Sequence, residues 1–392
     1  MSIIRYNLIG DIMKTVGIIT EYNPFHNGHL HHIEETKRLS KADRLICVMS
    51  GNFTQRGEPT IVDKFTRTKW ALNNGADLVI ELPFVFTVQN ADIFAFTSVS
   101  ILNKLGVDEI YFGSETNDIA ELSKLGDILV SEPYNDLIKL FLKEGYSYPT
   151  SADLTMKKLY PNDAFDLPNN ILGIQYILAG KKLKSKIKFK TIKRIKSNYF
   201  DDELHSSTIQ SATAIRKLVS ENKDIVNYVP EDVFNSLTSR KLISYEDYYE
   251  VFKYIINSST PKDLKDVFNV NEGLENRLLK FKEFSSVQNL IDKLLTRRYT
   301  NSKIKRTLAH VLINTKKNEL TDFNVPYIRI LGMNDLGRNY LNKIKHDLDV
   351  PLISKVKEGI HPYLDVEIRA SRVYSLVSDK DIYKQEFKQP IY

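Results

Sequence analysis

Short apolar runs alternate with longer stretches of helical spacing through the first half of the chain. Residues 16–20, 44–49 and 77–82 are rich in Ile, Val and Leu, residues 109–112 are Glu-Ile-Tyr-Phe, and each run reads as a buried strand. Residues 30–39, 63–74 and 91–105 carry apolar positions at helical spacing, the last closed by Gly106. Strand–helix alternation with short connections predicts an α/β fold: a Rossmann-like parallel sheet with helices on both faces. Residues 118–160 read as helical, with breaks near Pro133 and Pro149, and residues 171–179 form a further helix that Asn169 or Asn170 opens. Residues 188–195 read as a strand, and a helix starts at Ser211. Beyond residue 225 the strand signals thin out. Residues 245–257, 261–268, 272–284, 287–296 and 302–314 read as helices, with late strands at 327–331 and 351–354. The pattern therefore divides the chain into an extension (1–12), an α/β unit (13–225) and a mainly α-helical, partly basic unit (226–392).

Composition narrows the class. The 392 residues are 42% hydrophobic and 27% charged, the balance of an ordinary globular protein. No apolar run approaches the roughly 18 residues of a membrane span, and residues 1–12 lack the basic flank and apolar core of a signal peptide. We expect Met13 to be the functional start. A single cysteine, Cys47, excludes an internal disulfide and suits a reducing cytoplasm. The net charge of +6 is unevenly spread. Residues 181–196 carry nine Lys or Arg and no acid, and Arg297, Arg298, Lys303, Lys305, Arg306, Lys316 and Lys317 form a second acid-free run. Such runs suit a polyphosphate backbone, or serve as solvated faces.

The chemistry concentrates where the first strand ends. Asn23-Pro24 breaks that strand, and His26, Gly28 and His29 follow just before a helix. Two imidazoles at a strand-to-helix turn, beside a helix start that favours anions, suit a nucleotide phosphate. The loop at residues 50–59 follows the second strand and so lies at the same sheet edge, which turns Gln55 and Arg56 toward the site. Ser211, Thr213 and Arg216 offer hydroxyls, a helix start and a guanidinium for further phosphate contacts. No Cys/His metal spacing and no GxxxxGK[ST] loop occur, so no protein-held metal site is expected.

The order Thr20, His26, Gly28, His29 resembles the T-x₅-H-x-G-H signature of the HxGH nucleotidylyltransferase superfamily, and residues 211–216 resemble its S-x-T-x-I-R motif. Residues 17–30, 48–59, 77–83, 111–115, 168–173 and 326–333 together resemble the bacterial tRNA(Met) cytidine acetate ligase family. That resemblance implies ATP, with Mg²⁺, as substrate. Acetate would be activated as acetyl-AMP, and the acetyl group passed to N4 of the wobble cytidine of elongator tRNA(Met). His26 and His29 would be catalytic. The ATP site would comprise Gly17, Ile18, Ile19, Thr20, Glu21, Tyr22, Asn23, Pro24, Phe25, His26, Asn27, Gly28, His29 and Leu30, with Gly113, Asn169, Asn170 and Arg194. Arg297, Arg298, Lys303, Lys305 and Arg306 would meet tRNA phosphates, and Tyr327 and Arg329 are further candidates for RNA contact, with core packing the favoured reading of Tyr327. A nucleotidylyltransferase acting on a mononucleotide-like phosphate, and a non-catalytic RNA-binding protein, remain alternatives at this stage. The sequence is silent on oligomeric state.

Overall fold

A computed structural model of the protein describes residues 13–161, 167–194, 208–378 and 381–392. The extension 1–12 and Lys196 lie outside the described residues. Through the first half, strands and helices alternate as β1 (Thr15–Thr20), α1 (Asn27–Ser40), β2 (Arg44–Ser50), α2 (Lys64–Asn73), β3 (Leu78–Leu82), α3 (Phe84–Thr87), α4 (Ala91–Lys104) and β4 (Glu109–Ser114). Three helices follow: α5 (Ile119–Leu129), α6 (Glu132–Lys143) and α7 (Tyr148–Leu159). Pro133 and Pro149 sit in the first turns of α6 and α7, where a proline lacks no needed N–H, so they begin helices rather than break one. Next come α8 (Pro168–Lys182), β5 (Lys188–Lys193) and α9 (Ala212–Ser220).

The strands form one seven-stranded sheet in the order β5-β4-β1-β2-β3-β6-β7. The β1–β2, β2–β3, β1–β4 and β4–β5 pairs are parallel, as the alternation predicted. β1 and β4 are neighbours although β2, β3 and their connecting helices lie between them in sequence. The chain thus winds outward from β1 in both directions, and the crevice between β1 and β4 is the topological switch point where such sheets bind ligands. Gly17 in β1 makes the packing possible: a Cβ there would lie 2.8 Å from the Leu102 methyls of α4.

The second half departs from the expected helical unit. It does supply α10 (Glu231–Thr238), α11 (Tyr249–Ser258), α12 (Pro261–Lys265), α13 (Leu274–Lys280), α14 (Val287–Leu294) and α15 (Asn301–Ile313). The chain then returns to the sheet. β6 (Ile328–Met333) pairs antiparallel with β3, α16 (Asp335–Ile344) follows, β7 (Leu352–Ile353) pairs parallel with β6, and α17 (Pro362–Tyr374) closes the layer. A boundary at residue 225 would therefore divide one sheet, leaving β1–β5 on one side and β6 and β7 on the other.

The return is fixed by a buried ionic cluster. Lys64 Nζ of α2 contacts Glu81 Oε1 at 2.5 Å, Glu386 Oε1 at 2.7 Å and Glu367 Oε1 at 2.8 Å. Arg329 of β6 contacts Glu81 Oε2 at 2.6 Å and also Glu386. All five side chains are buried. The candidate RNA contact at Arg329 is thereby overturned: its guanidinium is spent inside the sheet. Tyr327 is in the core, 2% exposed, the packing role favoured for it.

Candidate active site at the switch point

His26 is the N-cap of α1, and its Nδ1 accepts the Gly28 backbone N–H at 3.0 Å. That bond sets the tautomer, leaving the proton on Nε2 as an outward donor. Gly28 is required by this geometry. A Cβ at Gly28 would stand 2.8 Å from His26 Cε1. The His29 ring stacks on His26 with centroids 3.8 Å apart and planes 28° from parallel. Tyr22 meets the His29 ring edge-on at 4.9 Å, and Phe25 lies 5.7 Å away.

Burial, reinforced by the Arg194 guanidinium, pushes the His26 pKa down to about 3. Burial also holds His29 well below the usual imidazole value, with His26, His32 and Arg194 adding to the effect. Both rings are therefore neutral hydrogen-bonding groups rather than cations. His29 Nδ1 and His32 Nε2 are buried without a hydrogen-bond partner among the described residues. Such orphaned polar atoms are costly unless a ligand satisfies them.

The helix start itself is less open than the sequence suggested. Asn27 N–H donates to Tyr228 O, Gly28 N–H to His26 Nδ1, and the His29 and Leu30 N–H groups to His26 O. The expected cradle of free backbone donors is thus already occupied, and the positive charge comes from side chains on either flank. Arg194, just past β5, lies across Gly113, where a Cβ would come within 3.3 Å of its Cγ. Its Nη1 donates to Asn169 Oδ1 at 3.1 Å. Arg216 of α9 donates from Nη1 to Asn23 O at 2.7 Å and from Nη2 to Thr213 Oγ1 at 3.2 Å. Asn27 Nδ2 ties the turn to Thr208 O and Asn227 O, both at 2.9 Å, which brings the start of α9 beside the histidines. Ser211 spends its hydroxyl capping α9, on the Ala214 N–H at 3.1 Å.

The two asparagines divide their roles. Asn170 is fully buried and accepts from Ser114 Oγ at 2.7 Å, locking α8 to the end of β4. Asn169 is half-buried and joins Arg194 to Glu115, donating to Glu115 Oε1 at 2.5 Å. Within the run 17–30, Gly17, Ile18, Pro24 and Phe25 are buried scaffold, while Thr20, Glu21, Asn27, Gly28, His29 and Leu30 are only partly covered. Gln55 does face the turn: its N–H donates to Glu21 Oε1 at 2.6 Å. Arg67 was not foreseen. This fully buried guanidinium of α2 donates to Glu21 O at 2.6 Å, to Ser50 O at 3.1 Å and to Gly51 O, clamping the ends of β1 and β2 together.

The basic segments separate on inspection. Arg297 and Arg298 are exposed, the first stacked 3.9 Å over the Tyr146 ring and the second 3.0 Å from Glu272. Lys303 donates to Asn269 at 2.7 Å, Lys305 pairs with Glu58, and Arg306 reaches Asn90 at 3.2 Å. Those last three side chains are engaged with the protein itself. In β5, an edge strand, Lys188, Lys190 and Lys193 are exposed, a placement that also discourages edge-to-edge pairing. Among the described residues, no group of three or more His, Cys, Asp or Glu side chains could hold a metal ion. No helix there is long and apolar enough to cross a membrane.

Comparison with known proteins decides the family. The HIGH Nucleotidyl Transferase family matches residues 13–389. A tRNA(Met) cytidine acetate ligase of Caldicellulosiruptor saccharolyticus is 44% identical, covering 97% of this chain and 99% of its own. The chain belongs to the tRNA(Met) cytidine acetate ligase family. Its Bacillus subtilis relative of the same name is 41% identical over 93% of this chain and 92% of that one. The crystal structure of Thermotoga maritima TmcAL bound with alpha-thio ATP superposes with a TM-score of 0.87 at 30% identity, covering 97% and 99% of the two chains. Members of this family are ATP-dependent ligases, and the α/β fold with its HxGH turn is the fold they share with this chain.

Proposed function

We propose that the protein activates acetate with ATP, forming acetyl-AMP and pyrophosphate, and transfers the acetyl group to N4 of the wobble cytidine of elongator tRNA(Met). The observation that carries this reading is the stacked, neutral His26–His29 pair at the switch point, with Arg194 and Arg216 on opposite flanks. In the first step an acetate oxygen attacks the α-phosphorus and pyrophosphate leaves. Nothing in that step requires a covalent protein intermediate, so the site needs position and positive charge. The His26 Nε2–H would donate to a phosphate oxygen as charge builds. Arg194, braced by Asn169, would hold one side of the triphosphate, and Arg216, braced by Thr213, the other, with Ser211 and Thr213 at the start of α9 lining its path.

The side chains turned to the triphosphate in this reading, His26, Arg194 and Arg216, are neutral and cationic donors that fit its oxygens directly, while the nearby Glu21 and Glu115 carboxylates accept from the Gln55 N–H and from Asn169. Mg²⁺ would therefore enter on the triphosphate, neutralising charge there, rather than on a protein carboxylate cluster. A cytoplasmic tRNA supplies the acceptor. An anticodon cytidine is an unpaired loop base that a protein can splay out and read. We assign the exposed Arg297, Arg298 and β5 lysines to phosphate contacts, which supply most of the affinity in such complexes.

Acetate-dependent ATP–pyrophosphate exchange tests the first half. Exchange that needs a phosphate acceptor instead of a carboxylate would replace this reading with a small-molecule nucleotidylyltransferase. Mass analysis of wobble-position nucleosides tests the second half, with N4-acetylcytidine expected on elongator tRNA(Met) alone.

A further inference from the structure

We propose that Tyr148, at the tip of the α6–α7 hairpin, is the stacking platform for an unpaired anticodon-loop base that flanks the acceptor cytidine. This rests on the tRNA-acetylating reading above. It adds to the phosphate contacts already assigned a side chain that meets the face of a base.

The tip holds an aromatic ring in the open. Gly145 turns the chain in the left-handed region, at φ 85°, which a side chain there would strain. Ser147 Oγ then accepts the Thr150 N–H as the N-cap of α7, and Pro149 occupies the first turn. Tyr148 is thereby fixed as the first residue of that helix, yet it is 63% exposed. The neighbouring Tyr146 ring is already engaged. Phe141 meets it edge-on with centroids 6.3 Å apart, and the Arg297 guanidinium covers it at 3.9 Å. That stack ties the hairpin to the loop before α15.

The tip also lies near the HxGH turn. α4 follows β3 through α3, so its N-terminus stands at the same sheet edge as the end of β1. Contacts run along that edge. Gln55 donates its N–H to Glu21 Oε1 and its Nε2 to Gln89 O, each at 2.6 Å. Asn90, the next residue, accepts from Arg306 Nη2 at 3.2 Å. Asp92, in the first turn of α4, faces both the Arg306 guanidinium and the Tyr148 phenol. From the other side Tyr245 donates its hydroxyl to Gly57 O at 2.6 Å, and a Cβ at Gly57 would stand 2.6 Å from Arg306 N. The loop is held between these contacts, with the Arg56 side chain exposed beside Gly57. Arg56, Arg297 and Arg298 are thus exposed cations on the rim between the turn and the tip, against the exposed acids Asp92 and Glu272, the latter paired with Arg298.

Exposed guanidinium groups beside an exposed flat ring match an unpaired nucleotide strand, whose phosphates take the cations and whose bases take the ring. A paired stem would use the arginines and leave the ring in water. Splaying the cytidine out of the anticodon loop strips its neighbour of a stacking face, and Tyr148 supplies the replacement.

The test compares two RNAs on the full chain: the anticodon stem-loop and a fully paired duplex of equal length. Tyr148→Ala should weaken stem-loop binding about 5–100-fold, leave duplex binding within about twofold, and leave the slope of affinity against salt unchanged. Tyr148→Trp should bind the stem-loop within about threefold of wild type, because the larger ring still stacks. Arg297→Gln should instead weaken both RNAs and lower the salt slope by about one. Stem-loop affinity unchanged in Tyr148→Ala, or an equal loss on both RNAs, would overturn the proposal. So would a loss that accompanies a shift from dimer to monomer in sedimentation, which would make the tip a contact between copies. A wild-type enzyme without acetate-dependent exchange, but with the Tyr148 effect intact, would overturn the ligase chemistry and leave the tip as a contact for an RNA loop.

Discussion

Gly28 and His26 act as one unit, because a Cβ at Gly28 would stand 2.8 Å from His26 Cε1 and displace the ring. Gly28→Ala should therefore lower acetate-dependent exchange by about 10²–10³-fold, the usual effect of displacing one preorganised donor, with little change in melting temperature. Exchange at the wild-type rate would detach His26 from catalysis. Because burial holds His26 down to about 3, its ring stays neutral at and above pH 5, and its Cε1–H resonance should be flat from about pH 5 to pH 8. An inflection near the ordinary imidazole value of 6.5 would contradict the neutral-donor role. These residues were legible in the sequence because a His-x-Gly-His spacing at a strand end has few other uses. What could not be read was the tautomer, which depends on the Gly28 N–H, or the stacking, which depends on where Tyr22 and Phe25 fold. Arg67 was illegible for a different reason. An arginine inside an amphipathic helix reads as solvated, and only the convergence of the β1 and β2 ends shows what it binds.

At the scale of elements, the helix and strand identities followed from periodicity, since burial on one face leaves an unambiguous spacing. The expected helices at 63–74, 91–105 and 302–314 appear as α2, α4 and α15 within a residue or so at each end. The error lay in which elements associate. Short apolar runs at 327–331 and 351–354 look alike whether they pair with each other or join a distant sheet, and nothing local separates those outcomes. Arg67 gives this scale its own prediction. Its guanidinium holds the carbonyls of Glu21, Ser50, Gly51 and Val62, so a shorter or uncharged side chain leaves several buried acceptors unpaired. Arg67→Met should destabilise by about 3–5 kcal/mol, read from the urea midpoint at fixed slope. A change under about 1 kcal/mol would mean that the loops hold themselves.

The whole molecule is closed by a cluster that counts three carboxylates against two cations: Glu81, Glu367 and Glu386 around Lys64 and Arg329. With every member buried, a net charge of −1 is expensive, and one proton shared among the carboxylates removes it. Burial first, with Glu367 and Glu386 as like-charged neighbours, raises Glu81 to about 8 from its ordinary 4.5, despite Arg329 and Lys64. Glu386 moves the other way, lowered by Arg329 and Lys64 against the cost of burial. Glu81 is therefore the member that carries the proton at neutral pH, and the two ends of the cluster respond differently to substitution. Arg329→Met strands the carboxylates and should cost about 3–5 kcal/mol. Glu81→Gln keeps the neutral state's shape and charge, and near pH 6 should cost under about 1 kcal/mol. The pH dependence follows with a definite sign. Between pH 4.5 and about 8 the unfolded chain has released the Glu81 proton and the folded protein retains it, so folding takes up a proton and wild-type stability falls as pH rises. The Gln variant has no such proton to lose. Its stability relative to wild type should therefore improve by about 1.4 kcal/mol for each pH unit across that window, seen as urea midpoints that cross between pH 6 and pH 8. A difference that stays constant with pH would place the shared proton elsewhere, and a Glu81→Gln variant as damaged as Arg329→Met would show that all three carboxylates are ionised in the folded protein.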